Sequence, residues 1–74
     1  MGELHYLSEE GDTKVIWNPD NQDEVDAAEA QFDTLAEKGF TAFAVKKDGE
    51  KGKKITTFEP NAGKIIMVPK IGGG

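Results

Sequence analysis

The chain has 74 residues, 31% of them charged and 36% hydrophobic, with a formal net charge of -5 and no cysteine. That length fits one domain, and a domain so small buries only about 60% of its unfolded surface. Disulfide and thiolate-metal staples are excluded, so stability has to come from packing a few large side chains well: Trp17, Tyr6, four Phe and scattered Leu, Ile and Val. No apolar run approaches the roughly 20 residues of a membrane span. The start, MGELHYLSEEG, has acids where a signal peptide carries bases. Tyr6 stands where a myristoylation pattern needs Ser or Thr. A cytoplasmic protein is expected.

Residues 3–7, ELHYL, read as a first strand, and 13–17, TKVIW, rich in β-branched and aromatic residues, as a second. Glu9-Glu10-Gly11-Asp12 between them predicts a hairpin with a loop of about five residues. Asn18-Pro19-Asp20-Asn21 then breaks the pattern. Asn21 and Glu24 have the spacing of a capping box. Asp23, Glu24 and Asp26 place negative charge at the positive end of a helix dipole. Val25, Ala28, Phe32 and Leu35 recur at three and four residues, Lys38 falls in the last turn, and Gly39 suits the position after the helix. These signals predict a helix over 22–38.

FTAFAV, 40–45, reads as a third strand, with the Phe43 and Val45 face directed inward. KKDGEKGK, 46–53, is a polar turn; 55–58 reads as a short fourth strand; 59–63 is another turn. KIIMV, 64–68, is apolar at successive positions, as expected of a strand buried on both faces or central in its sheet. The order is β-β-α-β-β-β, an α+β domain over 1–69 followed by a tail over 70–74. One helix must cover one face of the sheet. Strands 1 and 5 are expected side by side and parallel at the centre, with the helix lying diagonally across them.

This order, together with the ending Gly72-Gly73-Gly74, resembles the β-grasp fold of ubiquitin and of the bacterial sulfur carriers of thiamine and molybdopterin synthesis. The resemblance covers nearly the whole chain in element order and length. Two features depart from it: the stretch before the glycines is Val68-Pro69-Lys70-Ile71, with no arginine, and a third glycine precedes the pair. The resemblance implies a protein modifier or a sulfur carrier, not an enzyme, whose reactive group is the carboxylate of Gly74. An activating enzyme would adenylate that carboxylate with ATP and Mg²⁺, and a thiol or sulfide would then attack the acyl-adenylate. The implied partners are that adenylating enzyme, a conjugating enzyme and a deconjugating protease, with the protein itself a monomer. Glycine at 73 and 74 suits a lead that threads a narrow channel and leaves the acyl carbon unhindered. Pro69 cannot donate to a ladder and would end the last strand. Lys70, Ile71 and Gly72 would offer the enzyme handles. The plain alternative is a frayed glycine end without chemistry.

Other residues offer weaker signals. His5 alternates onto one strand face with Glu3 and Leu7, and reads as a surface residue. One His beside carboxylates at helical spacing matches no metal pattern. Asp26, Glu29, Asp33 and Glu37 read as the solvated face of the helix, or as a docking surface for a basic partner. Trp17 shares a strand face with Val15 and opposes Ile16: it is core if Val15 faces the helix, and a recognition patch if Ile16 does. Residues 1–37 hold eleven acids and one base, whereas 38–74 hold three acids and eight lysines. Lys46, Lys47, Lys51, Lys53 and Lys54 cluster around one turn, as a guarded edge, a protein-binding surface with Trp17, or a phosphate-binding patch. Without any Arg or nucleic-acid module, nucleic-acid binding is disfavoured. The function classes that stand are a modifier or carrier working through Gly74, and an interaction module using the sheet face or the acidic helix without tail chemistry.

Overall fold

The computed structural model describes residues 1–45 and 52–69. Its elements are β1 (Gly2–Ser8), β2 (Gly11–Trp17), α1 (Gln22–Glu37), β3 (Thr41–Val45), β4 (Lys53–Ile55) and β5 (Lys64–Val68). The five strands form one mixed sheet in the order β2-β1-β5-β3-β4. β1 and β5 are parallel neighbours; every other pairing is antiparallel. The protein is therefore a small α+β domain with one helix packed on a five-stranded sheet, and the expected parallel pair lies inside it.

The helix begins and ends as its sequence dictates. Asn21 is extended, and its side-chain oxygen accepts from the N–H groups of Asp23 and Glu24 at 3.1 and 3.3 Å. Glu24 reaches back, but to the Asn18 N–H (2.9 Å) and the Asn21 side-chain amide (3.0 Å) rather than to the Asn21 backbone. The cap thus fastens the preceding loop as well as the first turn. At the other end Gly39 takes φ +98, its N–H donates to Ala36, and the Phe40 N–H donates to Leu35. This is a Schellman closure, which needs a residue free to adopt positive φ. It makes Lys38 the cap and pushes the start of β3 from Phe40 to Thr41.

Two further boundaries differ from the sequence expectation. The hairpin loop is two residues, Glu9 and Glu10, not five. The Ser8 hydroxyl donates to the Gly11 carbonyl at 3.0 Å and lies 3.2 Å from the Thr13 hydroxyl, while Gly11 takes φ +110, so the strands close right up to the turn. The fourth strand is Lys53–Ile55 rather than 55–58. Phe58 leaves the sheet line and packs between Trp17 and Phe32, at ring-centroid distances of 4.9 and 5.8 Å. Burying an aromatic ring there outweighs the strand propensity of ITTF.

The core lies between α1 and one sheet face: Val25, Ala28, Phe32 and Leu35 from the helix, Leu4, Trp17, Ala42, Ile55, Ile65 and Met67 from the strands, and Phe58. Trp17 is fully buried, so Val15 and not Ile16 faces the helix. Its indole N–H donates to the Pro60 carbonyl at 2.9 Å, which satisfies the one polar atom it brings inside. Gly2, opposite Trp17 in the hairpin, leaves room for that ring: a Cβ there would lie 2.2 Å from it.

β3 reverses the expected orientation. Ala42 is buried on the helix side, and Phe43 and Val45 face away. Register fixes this: Ala42 pairs with buried Met67 and Phe43 with Ile66. The core volume opposite α1 is already filled by Ile65, Met67, Phe32 and Phe58, and small Ala side chains at 42 and 44 fit beneath.

Candidate functional site

With helix-side residues of the sheet consumed by the core, the surfaces left exposed are the opposite sheet face and the outer face of α1. The registers place one residue from every strand in a row across that face: Lys14, His5, Ile66, Phe43 and Lys54. A second row runs Ile16, Glu3, Lys64, Val45. Asp12 faces Leu7, and Val68 faces Thr41, at the end where β5 terminates. Leu7, Ile16 and Val68 are 55%, 49% and 38% exposed, whereas Ile66, Phe43 and Val45 are half-buried by their neighbours. The face is thus mixed: apolar Leu7, Ile16, Ile66, Phe43, Val45 and Val68 alternate with Asp12, Lys14, His5, Glu3, Lys64 and Lys54. A shallow depression of about 290 Å³ between β1 and β5 is lined by His5, Leu7, Asp12, Ile66 and Val68.

One polar pair is built into it. His5 Nε2 lies 2.9 Å from Glu3 Oε1, and Lys14 and Lys64 are cross-strand neighbours of the two. The hydrogen bond from His5 holds the Glu3 carboxyl below its ordinary range; desolvation opposes it, and the charges of Lys14, His5 and Lys64 add smaller effects in the same direction as the bond. His5 occupies the surface position expected from alternation.

The helix presents a different surface. Asp23, Glu24, Asp26, Glu29, Asp33 and Glu37 are all exposed, and α1 contains no basic residue. Its like charges recur at three and four residues, where they repel. Acid therefore covers the helix side, while Lys14, Lys54 and Lys64 stand on the sheet side.

Of the candidate site residues named from sequence, Trp17 is corrected. It offers no surface, because the sheet, Phe58 and Pro60 enclose it completely. Pro69 is exposed and follows directly on β5, whose ladder stops at Val68. Lys70, Ile71, Gly72, Gly73 and Gly74 lie outside the described residues, as do Lys46, Lys47 and Lys51. The structure adds the apolar residues Leu7, Ile16, Phe43, Ile66 and Val68 of the open sheet face. Period-two alternation in β1 and β2 carried part of that signal, but the orientation of β3 did not follow from its sequence.

No helix among the described residues is long and apolar enough to cross a membrane. No family model, curated protein or solved structure matches the chain.

Proposed function

We propose that this chain is a ubiquitin-like β-grasp protein, acting as a protein modifier or sulfur carrier through the carboxylate of Gly74. The observation that supports the reading is the place of β5. It is a central strand, parallel to β1, flanked by β1 and β3, with one helix across the other face, and Pro69 follows its last rung. That arrangement anchors the chain by two ladders up to Met67 and by one at Val68, with Pro69 directly after the last rung. In the proposed chemistry an adenylating enzyme joins the Gly74 carboxylate to the α-phosphate of ATP, with release of pyrophosphate. A thiol or sulfide then displaces AMP and leaves a thioester or a thiocarboxylate. The protein supplies the carboxylate and the docking surface; ATP and Mg²⁺ belong to the enzyme. A cytoplasmic setting suits chemistry that consumes ATP.

The test is the intact mass of the full chain after incubation in an extract of its source cells with ATP, Mg²⁺ and a sulfur source. A carrier gains the mass difference between sulfur and oxygen; a modifier appears joined to other proteins by isopeptide bonds. A chain lacking Gly73 and Gly74 should do neither, and equal reaction of that shortened chain would end the proposal.

A second reading is favoured by the exposed Leu7, Ile16 and Val68, which lie on one face of the sheet, Leu7 and Val68 at the same end. On this reading the domain is an interaction module that binds a protein partner through the sheet face without tail chemistry.

A further inference from the structure

Among the described residues β2 and β4 are the two edge strands of the sheet, and they are built differently. β4 is three residues long and two of them are lysines. Short length and lysine are the usual means of keeping an edge from pairing. β2, at the other edge, runs seven residues without proline, and its register against β1 is unbroken from Gly2↔Trp17 to Ser8↔Gly11. The direction of its backbone follows from one bond. The Glu3 N–H donates to the Gly63 carbonyl, on the β5 side, at 3.3 Å. Glu3 and Ile16 are therefore a non-hydrogen-bonded pair of the hairpin, and by alternation so are His5–Lys14 and Leu7–Asp12. The N–H and C=O groups of Asp12, Lys14 and Ile16 then point outward from the sheet, and no strand among the described residues receives them.

We infer that this edge pairs antiparallel with the same edge of a second copy of the chain, about a two-fold axis through Thr13. The two five-stranded sheets become one continuous sheet. The axis is chosen by charge. Registers centred on Asp12 or on Lys14 set like charges directly opposite, which is destabilising. A register centred on Val15 sets Lys14 against Ile16. Centred on Thr13, Asp12 of each copy faces Lys14 of the other, so two ion pairs form on the open face. Both side chains are exposed and available for this. Lys14 guards the edge against other alignments and admits this one. The end of β5 lies two strands away and stays clear. The sequence suggested a monomer; on this inference that state holds at dilution, with dimer forming as concentration rises.

Sedimentation velocity of the full chain, from micromolar to millimolar, tests it. The wild-type protein should pass from monomer to dimer. Lys14→Asp should weaken the dimer roughly tenfold or more, with an unchanged far-ultraviolet circular dichroism spectrum. The exchanged variant Asp12→Lys/Lys14→Asp should restore dimer, because each copy again meets its opposite. A chain that stays monomeric to millimolar concentration overturns the inference. So does a dimer that Lys14→Asp leaves intact, or one that the exchange fails to restore.

Discussion

The indole N–H of Trp17 donates to the carbonyl of Pro60 at 2.9 Å, joining positions 43 residues apart in the chain. The bond ties the end of the hairpin to the loop that precedes β5, and the same ring packs on Phe58. Stability of a domain of this length is about 4–11 kcal/mol, and truncating a large aromatic core residue costs about 3–5 kcal/mol. Trp17→Ala should therefore leave the domain largely unfolded or marginal. Trp17→Phe keeps most of the ring but leaves the Pro60 carbonyl without its donor, and should cost about 1–3 kcal/mol. Urea unfolding followed by circular dichroism measures both. Equal stability of wild type and Trp17→Ala would contradict the placement of this ring.

Gly2 should be intolerant for the same reason. A Cβ at Gly2 would meet the Trp17 ring at 2.2 Å, on atoms that the core holds in place. Gly2→Ala should cost about 1–3 kcal/mol through overpacking, a fall in Tm of roughly 4–8 °C for each kcal/mol. Gly11→Ala meets no neighbouring atom, yet Gly11 holds φ +110. It should lose stability through backbone strain alone, and its loss should be unaffected by shrinking Trp17 to Phe, whereas the Gly2→Ala loss should partly recover in that background.

The contrast bears on what the sequence could and could not tell. Local rules placed the helix, because Asn21, Glu24, the Val25-Ala28-Phe32-Leu35 spacing and Gly39 all agree. The run KIIMV identified β5 with its bounds, since few other elements tolerate successive apolar residues. Two of the departures, at Phe43 and Phe58, come from tertiary packing. Phe43 faces outward because volume on the helix side is taken by Phe32 of α1, Ile65 and Met67 of β5, and Phe58, which strand alternation cannot register. Phe58 abandons a strand-like stretch because two aromatic rings distant in sequence receive it. The apolar part of the open face was half visible for the same reason: Leu7 and Ile16 follow from alternation in the hairpin, but Phe43 joins them only once β3 is oriented. For the proposed chemistry, the glycine ending is legible in the sequence, whereas the surface that would present it emerges only from five strands brought into register.

The helix cap supplies a local prediction. Asn21 accepts two backbone N–H donors and also contacts Glu24. Asn21→Ala should cost about 1 kcal/mol. Asn21→Asp keeps the acceptor but sets a second carboxylate beside Glu24, so it should fall between wild type and Ala. Thermal unfolding ranks the three, and an Ala variant as stable as wild type would show that Glu24 and the Asn18 loop hold the first turn unaided.

Glu3 gives a pH prediction with a definite sign. Its carboxyl is held below the ordinary range, first by the hydrogen bond with His5. A folded-state pKa lowered in this way contributes stability that is present above the unfolded value and is lost as pH falls through the folded one. The contribution should therefore be intact at neutral pH and fade below about pH 4. The Glu3 side chain is 42% exposed, so its effect on stability is small, and carboxyl titration by NMR is the sharper measurement. His5→Ala should raise the Glu3 titration midpoint toward its ordinary value. An unmoved midpoint would mean that Lys14 and Lys64, rather than His5, set the charge on this part of the face.

The two functional readings separate through variants that leave the core alone. Among the described residues the buried core ends at Met67, and on either reading removal of Gly73 and Gly74 should leave Tm unchanged. If tail chemistry is the function, that shortened chain loses adenylate-dependent mass change completely, and Gly73→Val does the same by crowding the acyl carbon. Replacing exposed Leu7 with Ser should then weaken enzyme docking, read as a raised KM with kcat little changed, because uniform binding is removed while the reacting carboxylate is untouched. If the domain is instead an interaction module, the order inverts. Leu7→Ser abolishes partner capture, and the shortened chain captures the same partner as well as wild type. Running both variants through both assays distinguishes a reactive end that needs the sheet face for delivery from a sheet face that acts without the end.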